Sequence, residues 1–387
     1  MQARRIKVVH ILEGFSGGTR TYMCHVLPEL VRRGFDVTLI CSLERGGADV
    51  LPSVARLRND GVRVLVVPMA REIHPWQDAL ALVRIWRLLS QGGYDIVHTH
   101  CSKAGALGRL AACLAGVRIR LHSAHCFAFL RCDSRARRLL YGVLERLFGR
   151  LTTMLVAVGE SEAVTAVRRR IVPSCRCVKI SNGLPPDPTA SRPDPTAVAE
   201  YRRALGLDAD AHVVTTVCRL VEYKGIFRFL QAAELSRAPA TTFIIAGDGD
   251  LYGSAQQFIE AANLRRKVRL LGHVDHMEPL YHVSDVMVLC SDAEAEPYAI
   301  LEAMRANVPV VATAAPGNSR LISHQNTGLL TDSTPAGIAS AIDRVLTNRE
   351  MRRRYSANAY DYVVLQHTLD KQVSQLSLLY TRLLRRP

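Results

Sequence analysis

Short apolar runs recur along the chain, each followed by a polar, often glycine-bearing turn and then by a longer stretch with apolar positions at helical spacing. In the first half such runs lie at 7–12, 36–41, 62–67, 94–99, 118–123 and 155–158. In the second half they lie at 212–218, 242–246, 268–271, 286–290 and 309–313. A helix is predicted from Thr21 to about Arg33, stopped by Gly34, and helical patterns at 335–346, 349–363 and 370–384 close the chain. This βαβα alternation predicts mostly parallel sheets with crossover helices, an α/β fold. The stretch 184–200 contains five Pro and breaks the alternation. It is read as a linker at 185–200 between domains at 1–184 and 201–365, with a last helix at 366–387 packing back toward the first domain.

Composition narrows the class. A chain of 387 residues suits two α/β cores better than one. With 48% apolar and 22% charged residues it reads as soluble and globular. No apolar run reaches the roughly 18–20 residues of a membrane span. The opening residues lead straight into a strand, so no signal peptide is expected. Ten Cys occur without C-x-x-C spacing, and Cys41, Cys218 and Cys290 end apolar runs. Reduced, buried thiols in a cytosolic protein are expected. Charge is divided unevenly: residues 1–185 hold 28 Lys and Arg against 13 Asp and Glu, whereas residues 186–387 hold 22 of each. The first half should therefore meet something anionic, a membrane surface or a nucleic acid. Its stretch 131–150 sets Leu139, Leu140, Val143, Leu144, Leu147 and Phe148 among Arg at helical spacing. That pattern suits a basic amphipathic helix lying on an anionic leaflet, or one burying its apolar face on its own sheet.

The chemistry concentrates at 291–309, where a strand hands over through an acidic loop to a helix. Glu294 lies in the loop and Glu302 in the helix, with seven residues between them. Carboxylates at a sheet's carboxyl edge, beside a helix N-terminus that favours phosphate, suit a sugar nucleotide. Alone, the pair could equally solvate a helix end. Arg219 and Lys224 flank the turn after the first strand of the second domain, ahead of Gly225, and could clamp a diphosphate. Gly247 sits in the A-G-D-G turn after the next strand. In the first domain Gly17 and Gly18 lie in a glycine-rich turn after the first strand, without G-x-G-x-x-G spacing, and a plain tight turn would also explain them. His98, His100, His122 and His125 fall at strand ends on the ligand side of the sheet. Core packing is the alternative, and the nearby Cys101, Cys126 and Cys132 match no zinc spacing.

Taken together, R-L-x-x-x-K-G at 219–225, A-G-D-G, E-x7-E, L-E-A-M, P-V-V-A-T and T-G-L-L resemble a family 4 glycosyltransferase of the GT-B fold. S-G-G-T-R at Ser16, S-K-A-G-A-L-G-R-L-A-A at Ser102, H-S-A-H-C-F at His122 and S-N-G-L at Ser181 are similar to members that build exopolysaccharide and O-antigen repeat units. The resemblance covers nearly the whole chain. It implies two Rossmann-like domains facing across a cleft, with a nucleotide-sugar donor on the second and a lipid-linked or saccharide acceptor on the first. It implies that Arg219 and Lys224 hold the diphosphate, Glu302 the ribose and Glu294 the transferred sugar. His125 would lie near the reacting centre and Gly17 and Gly18 along the diphosphate, with Gly247 on the donor side. Arg20 and Lys103 are expected on the acceptor or membrane side. Transfer would be retaining, without metal or other cofactor, at the inner face of a membrane. Cys218, Cys126, Glu296 and Arg320 depart from the family pattern. A nucleotide-sugar epimerase of the same fold is the nearest rival. A basic nucleic-acid-binding module is another, although the Arg lack aromatic interleaving or a known binding motif, so no nucleic-acid partner is expected.

Overall fold

The computed structural model describes residues 4–44, 50–70, 72–132, 134–186, 194–208 and 210–385. They form two compact units, one of residues 1–183 with 369–387 and the other of residues 184–368. The first unit holds a parallel sheet of β1 (Lys7–Leu12), β2 (Asp36–Cys41), β3 (Arg63–Val66), β4 (Ile96–His100), β5 (Ile119–Ser123), β6 (Met154–Ala157) and β7 (Cys177–Lys179). Its order is β3-β2-β1-β4-β5-β6-β7. The second unit holds β8 (His212–Val217), β9 (Thr241–Ala246), β10 (Val268–Gly272), β11 (Val286–Leu289), β12 (Val310–Thr313) and β13 (Leu329–Thr331), in the order β10-β9-β8-β11-β12-β13. Each is a doubly wound, Rossmann-like sheet. Strand order reverses between β1 and β4 and again between β8 and β11, the switch points where such sheets open a crevice at their carboxyl ends. Strands covered on both faces read as apolar runs, and β1 is buried from its second residue to its last.

Three expectations need correction. The first helix is Gly17–Arg32, not one beginning at Thr21, because Ser16 is extended and the two glycines enter the helix. The strand β7 was not predicted, being too short for any period to register. The region read as a linker also holds a helix, Pro195–Ala204. Asp194 accepts the Thr196 N–H at 3.0 Å as its cap, and Pro195 takes the first-turn position, where a missing N–H is harmless. Of the other four prolines, those at 188 and 193 lie outside the described residues.

The last helix, Leu369–Leu384, belongs to the first unit. It buries Leu369, Val373, Leu376, Tyr380 and Leu383, the spacing of one helical face. Arg33 fastens it through Asp370 Oδ1 at 2.6 Å and Ser374 Oγ at 2.7 Å. Including this segment, the first unit carries 32 of the 50 Lys and Arg but only 14 of the 35 Asp and Glu.

Candidate functional site

In the first unit the switch point is lined with histidine. His10 on β1 pairs in register with His98 on β4, and His100 follows on the same strand face. His10 Nδ1 lies 2.9 Å from His100 Nε2, and His100 Nδ1 lies 2.9 Å from His125 Nε2. His98 bonds the Tyr380 hydroxyl at 2.7 Å and Ser123 Oγ at 3.0 Å. His10, His98, His100 and Tyr380 are wholly buried, whereas His125 is partly exposed. Burial pushes His10 down to about 3 and His125 down to about 4. It also holds His98, His100 and His122 well below the ordinary value, with neighbouring charge acting in the same direction. The rings are therefore neutral, and each has one donor and one acceptor nitrogen.

His125 and Cys126 form the turn after β5 with φ of 50° and 77°, both left-handed. Cys126, a departure from the family pattern, thus occupies a conformation that glycine takes without strain. Glu162 holds this turn in place. One carboxylate oxygen accepts the Cys126 N–H at 2.9 Å and the other the Val158 N–H at 2.8 Å. Burial raises Glu162 to about 7 against those two donors. Gly17 and Gly18 open the helix after β1, exposed, where first-turn amides are unpaired within a helix. Arg20 lies half-buried in the same turn. Lys103 is paired within the unit: its ammonium is largely out of solvent against Asp78 at 2.6 Å and donates to the Glu72 carbonyl at 2.8 Å. His122 is a core residue, with Nδ1 3.0 Å from the Thr99 hydroxyl and Nε2 3.8 Å from Glu145 within the buried Arg109–Glu145 pair.

His10, His98 and His100 also bring ring nitrogens within 4.8 Å of one another, the one histidine cluster with metal-ligating spacing among the described residues. All six of those nitrogens already have hydrogen-bond partners, the longest being His10 Nε2 to Tyr380 Oη at 3.4 Å. A metal would have to break several of these bonds.

In the second unit the switch point gathers the predicted donor residues. Lys224 ends the turn after β8, and its ammonium pairs with Glu294 from the loop after β11. Burial alone would lower that ammonium, but Glu294 and the other neighbours outweigh it, and the net shift is upward. The two loops are joined further by Asp292 N–H to the Tyr223 carbonyl at 2.8 Å and by Arg228 to Asp292 at 2.6 Å. Close approach needs glycine at Gly247, where a Cβ would come within 1.8 Å of the Cys218 carbonyl oxygen. Arg219 is partly exposed, and no carboxylate pairs with it among the described residues. Glu302 accepts the Tyr281 hydroxyl at 3.0 Å, and burial raises its carboxyl despite that bond. Lys224 and Glu294, expected to hold the diphosphate and the transferred sugar, are paired with each other across the two loops. Of the departures, Glu296 reaches to 3.9 Å from His367 Nδ1, Cys218 lies against Gly247, and Arg320 is exposed.

Sequence reasoning missed His10, Tyr380, Glu162 and Tyr281. A single histidine inside an apolar run reads as packing, and only strand order places His10 beside His98. It also missed the exposed apolar side of helix Pro75–Gly92, whereas an apolar side at 131–150 was expected. On helix Pro75–Gly92, Trp76 is 76% exposed, and Leu80, Val83 and Trp86 share its outer side with Arg84 and Arg87. On helix Arg135–Gly149, Leu139 is 69% exposed, and Leu140, Val143 and Leu147 are also outside, beside Arg135, Arg138 and Arg146. Both helices pack against helix Ser102–Leu114, so both lie on one side of the sheet. No helix among the described residues is long and apolar enough to cross a membrane.

Residues 17–183 match the family described as "Glycosyl transferase 4-like domain", and residues 198–362 match "Glycosyl transferases group 1". The chain is 30% identical over 384 residues to the UDP-Gal:alpha-D-GlcNAc-diphosphoundecaprenol alpha-1,3-galactosyltransferase of Escherichia coli, covering 97% of each chain. It is 27% identical over 367 residues to the D-inositol 3-phosphate glycosyltransferase of Acidothermus cellulolyticus, covering 86% of this chain and 79% of that one. Among solved structures, Anabaena HepE in complex with UDP and glucose superposes with a TM-score of 0.82 over 98% of this chain and 100% of that one, at 19% identity.

Proposed function

The chain belongs to the family 4 glycosyltransferases, and from that premise we propose that it moves a hexose from a nucleoside-diphosphate donor to a hydroxyl of a lipid-linked saccharide, with retention of configuration. The observation that carries this reading is the two cations Arg219 and Lys224 after β8, Lys224 being tied through Glu294 to the loop after β11. A guanidinium and an ammonium beside a helix that Gly225 opens are suited to neutralising a departing diphosphate. Glu302, oriented by Tyr281, accepts the ribose hydroxyls. Glu294 accepts those of the transferred sugar, exchanging part of its bond with Lys224 for them.

In the proposed step the bond from the sugar C1 to the diphosphate oxygen breaks while the acceptor oxygen bonds C1 on the same face. The acceptor proton passes to an oxygen of the leaving phosphate. No protein nucleophile is needed for the balance, and Arg219 and Lys224 supply the positive charge that a divalent metal would otherwise supply. The Escherichia coli relative is named for a UDP-linked donor and a diphosphoundecaprenol-linked acceptor, and we extend those classes to this chain. An acceptor of that kind lies in a membrane. The exposed Trp76 and Leu139 stripes, flanked by arginines, support peripheral docking of the first unit on an anionic cytoplasmic leaflet, in the building of a cell-surface polysaccharide.

The test is turnover of a panel of UDP-hexoses with a polyprenyl-diphosphate-linked sugar, with the product's anomeric configuration read by NMR. An axially linked product from an axially linked donor is expected, formed only when acceptor is present. An inverted product, or sugar released or epimerised without acceptor, overturns the reading.

A further inference from the structure

We propose that the buried histidines form a directional hydrogen-bond line that fixes His125 in its Nε2–H tautomer and presents Nδ1 as a bare acceptor, with Tyr380 and His10 as positioning residues. The functional half of this rests on the reading that His125 faces the transferred sugar.

The direction follows from proton counting. Ser123 has one hydroxyl proton, and the buried Val156 carbonyl lies 2.8 Å from its oxygen. A carbonyl oxygen can only accept, so at that distance the Ser123 proton is committed to it. Ser123 Oγ must then accept from His98 Nε2 at 3.0 Å, which makes His98 an Nε2–H ring. His98 Nδ1 is left as acceptor and takes the Tyr380 hydroxyl proton at 2.7 Å. The Tyr380 oxygen, its proton spent, faces His10 Nε2 at 3.4 Å. Two lone pairs opposed in a dry core would repel, so His10 also carries its proton on Nε2. His10 Nδ1 then accepts from His100 Nε2 at 2.9 Å, and His100 Nδ1 accepts from His125 Nε2 at 2.9 Å.

Each ring therefore hands the same polarity to the next. His125, the partly exposed member, ends the line with Nδ1 uncommitted to any protein group among the described residues. Stacking holds the rings in place, with His98–His100 and His100–His125 centroids 4.4 and 5.2 Å apart. A bare imidazole nitrogen accepts a hydrogen bond from a sugar hydroxyl, whereas an N–H there would have to donate. Tyr380 is reached only from the far end of the chain, so the last helix sets the chemistry of a turn 255 positions earlier.

The experiment is long-range proton–nitrogen NMR of the full chain with 15N-labelled histidine, the His125 signals being identified by their loss in His125→Gln. The expected spectrum has His125 as the Nε2–H tautomer. Tyr380→Phe keeps the ring packing and removes the link between His98 and His10. It should let the His125 tautomers average and lower kcat on the order of tenfold or more, with the donor KM little changed. An Nδ1–H tautomer for His125 in the unaltered protein overturns the proposal. So does a Tyr380→Phe protein with the same tautomer and the same kcat. A His125→Gln enzyme at full rate overturns the placement of His125 at the sugar, and with it the functional half, while the tautomer reports on the line separately.

Discussion

Lys224 and Glu294 bind each other across the two loops at the β8–β11 switch, both side chains largely out of solvent. Arg219, by contrast, is partly exposed and pairs with no carboxylate among the described residues. The two cations should therefore fail differently. Arg219→Ala is expected to lower turnover by on the order of 10²–10³-fold with little change in melting temperature, as for a lost oxyanion donor. Lys224→Ala should lower turnover as much and also destabilise by about 3–5 kcal/mol, because it strands a buried carboxylate. Adding Glu294→Gln to Lys224→Met should recover much of that stability but none of the turnover. Unchanged rates in well-folded Arg219→Ala and Lys224→Ala proteins would remove both from the donor site.

Cys126 holds φ at 77° behind His125, with its N–H fixed by Glu162. A side chain in that left-handed region costs about 1–2 kcal/mol, and glycine costs roughly 0.5–1 kcal/mol in the unfolded chain. Cys126→Gly should leave the melting temperature within a few degrees of the parent. Cys126→Val, branched at the β-carbon, should lower it clearly further. Calorimetry on the two variants decides the matter, and equal losses would mean that burial of the thiol, rather than the backbone, dominates.

Acid should loosen the first unit before the second. Burial lowers His10 to about 3 and His125 to about 4, and holds His98, His100 and His122 well below the ordinary 6.5. A depressed folded-state value means that the unfolded chain binds more protons below pH 6.5. The stability carried by neutral rings is therefore full above 6.5 and lost as pH falls toward 3–4. Each histidine protonated on unfolding contributes about 1.4 kcal/mol per pH unit. Glu162, raised to about 7, takes up a proton in the folded state and opposes the trend by one group. Melting temperature should fall steeply from pH 7 to 5, and His125→Gln should flatten the slope. A level profile over that range would contradict the neutral cluster.

Membrane docking is testable on exposed residues alone. Leu139, Val143 and Trp76 lie outside the core, so Leu139→Ser with Val143→Ser, or Trp76→Ser, should leave folding intact. The unaltered protein should co-sediment with vesicles in proportion to their anionic lipid, and less at high salt, since each cation near the surface gains about 1 kcal/mol and is screened beyond about 8–10 Å. The variants should bind less at every composition. Equal recovery with neutral and anionic vesicles would leave the stripes without a lipid partner.

The sequence by itself determined the strands, the glycine turns and the positions of Arg219, Lys224, Glu294 and Glu302, because these are written in short-range pattern. A period of two or 3.6 and a turn residue need only neighbours in the chain. Even there, β7 was too short to register, and the helix at Pro195 hid behind its prolines. Tertiary structure decided what depends on strand order and on faces. The pairing of β1 with β4 turned His10 from a packing residue into a link between Tyr380 and His100. Tertiary structure likewise buried Lys103 against Asp78 and closed Lys224 on Glu294. It also left the apolar side of helix Arg135–Gly149 outside, where its periodicity allowed burial equally well. Periodicity marks which side of a helix is apolar. What covers that side is set by segments far away in the chain, and no local pattern encodes them.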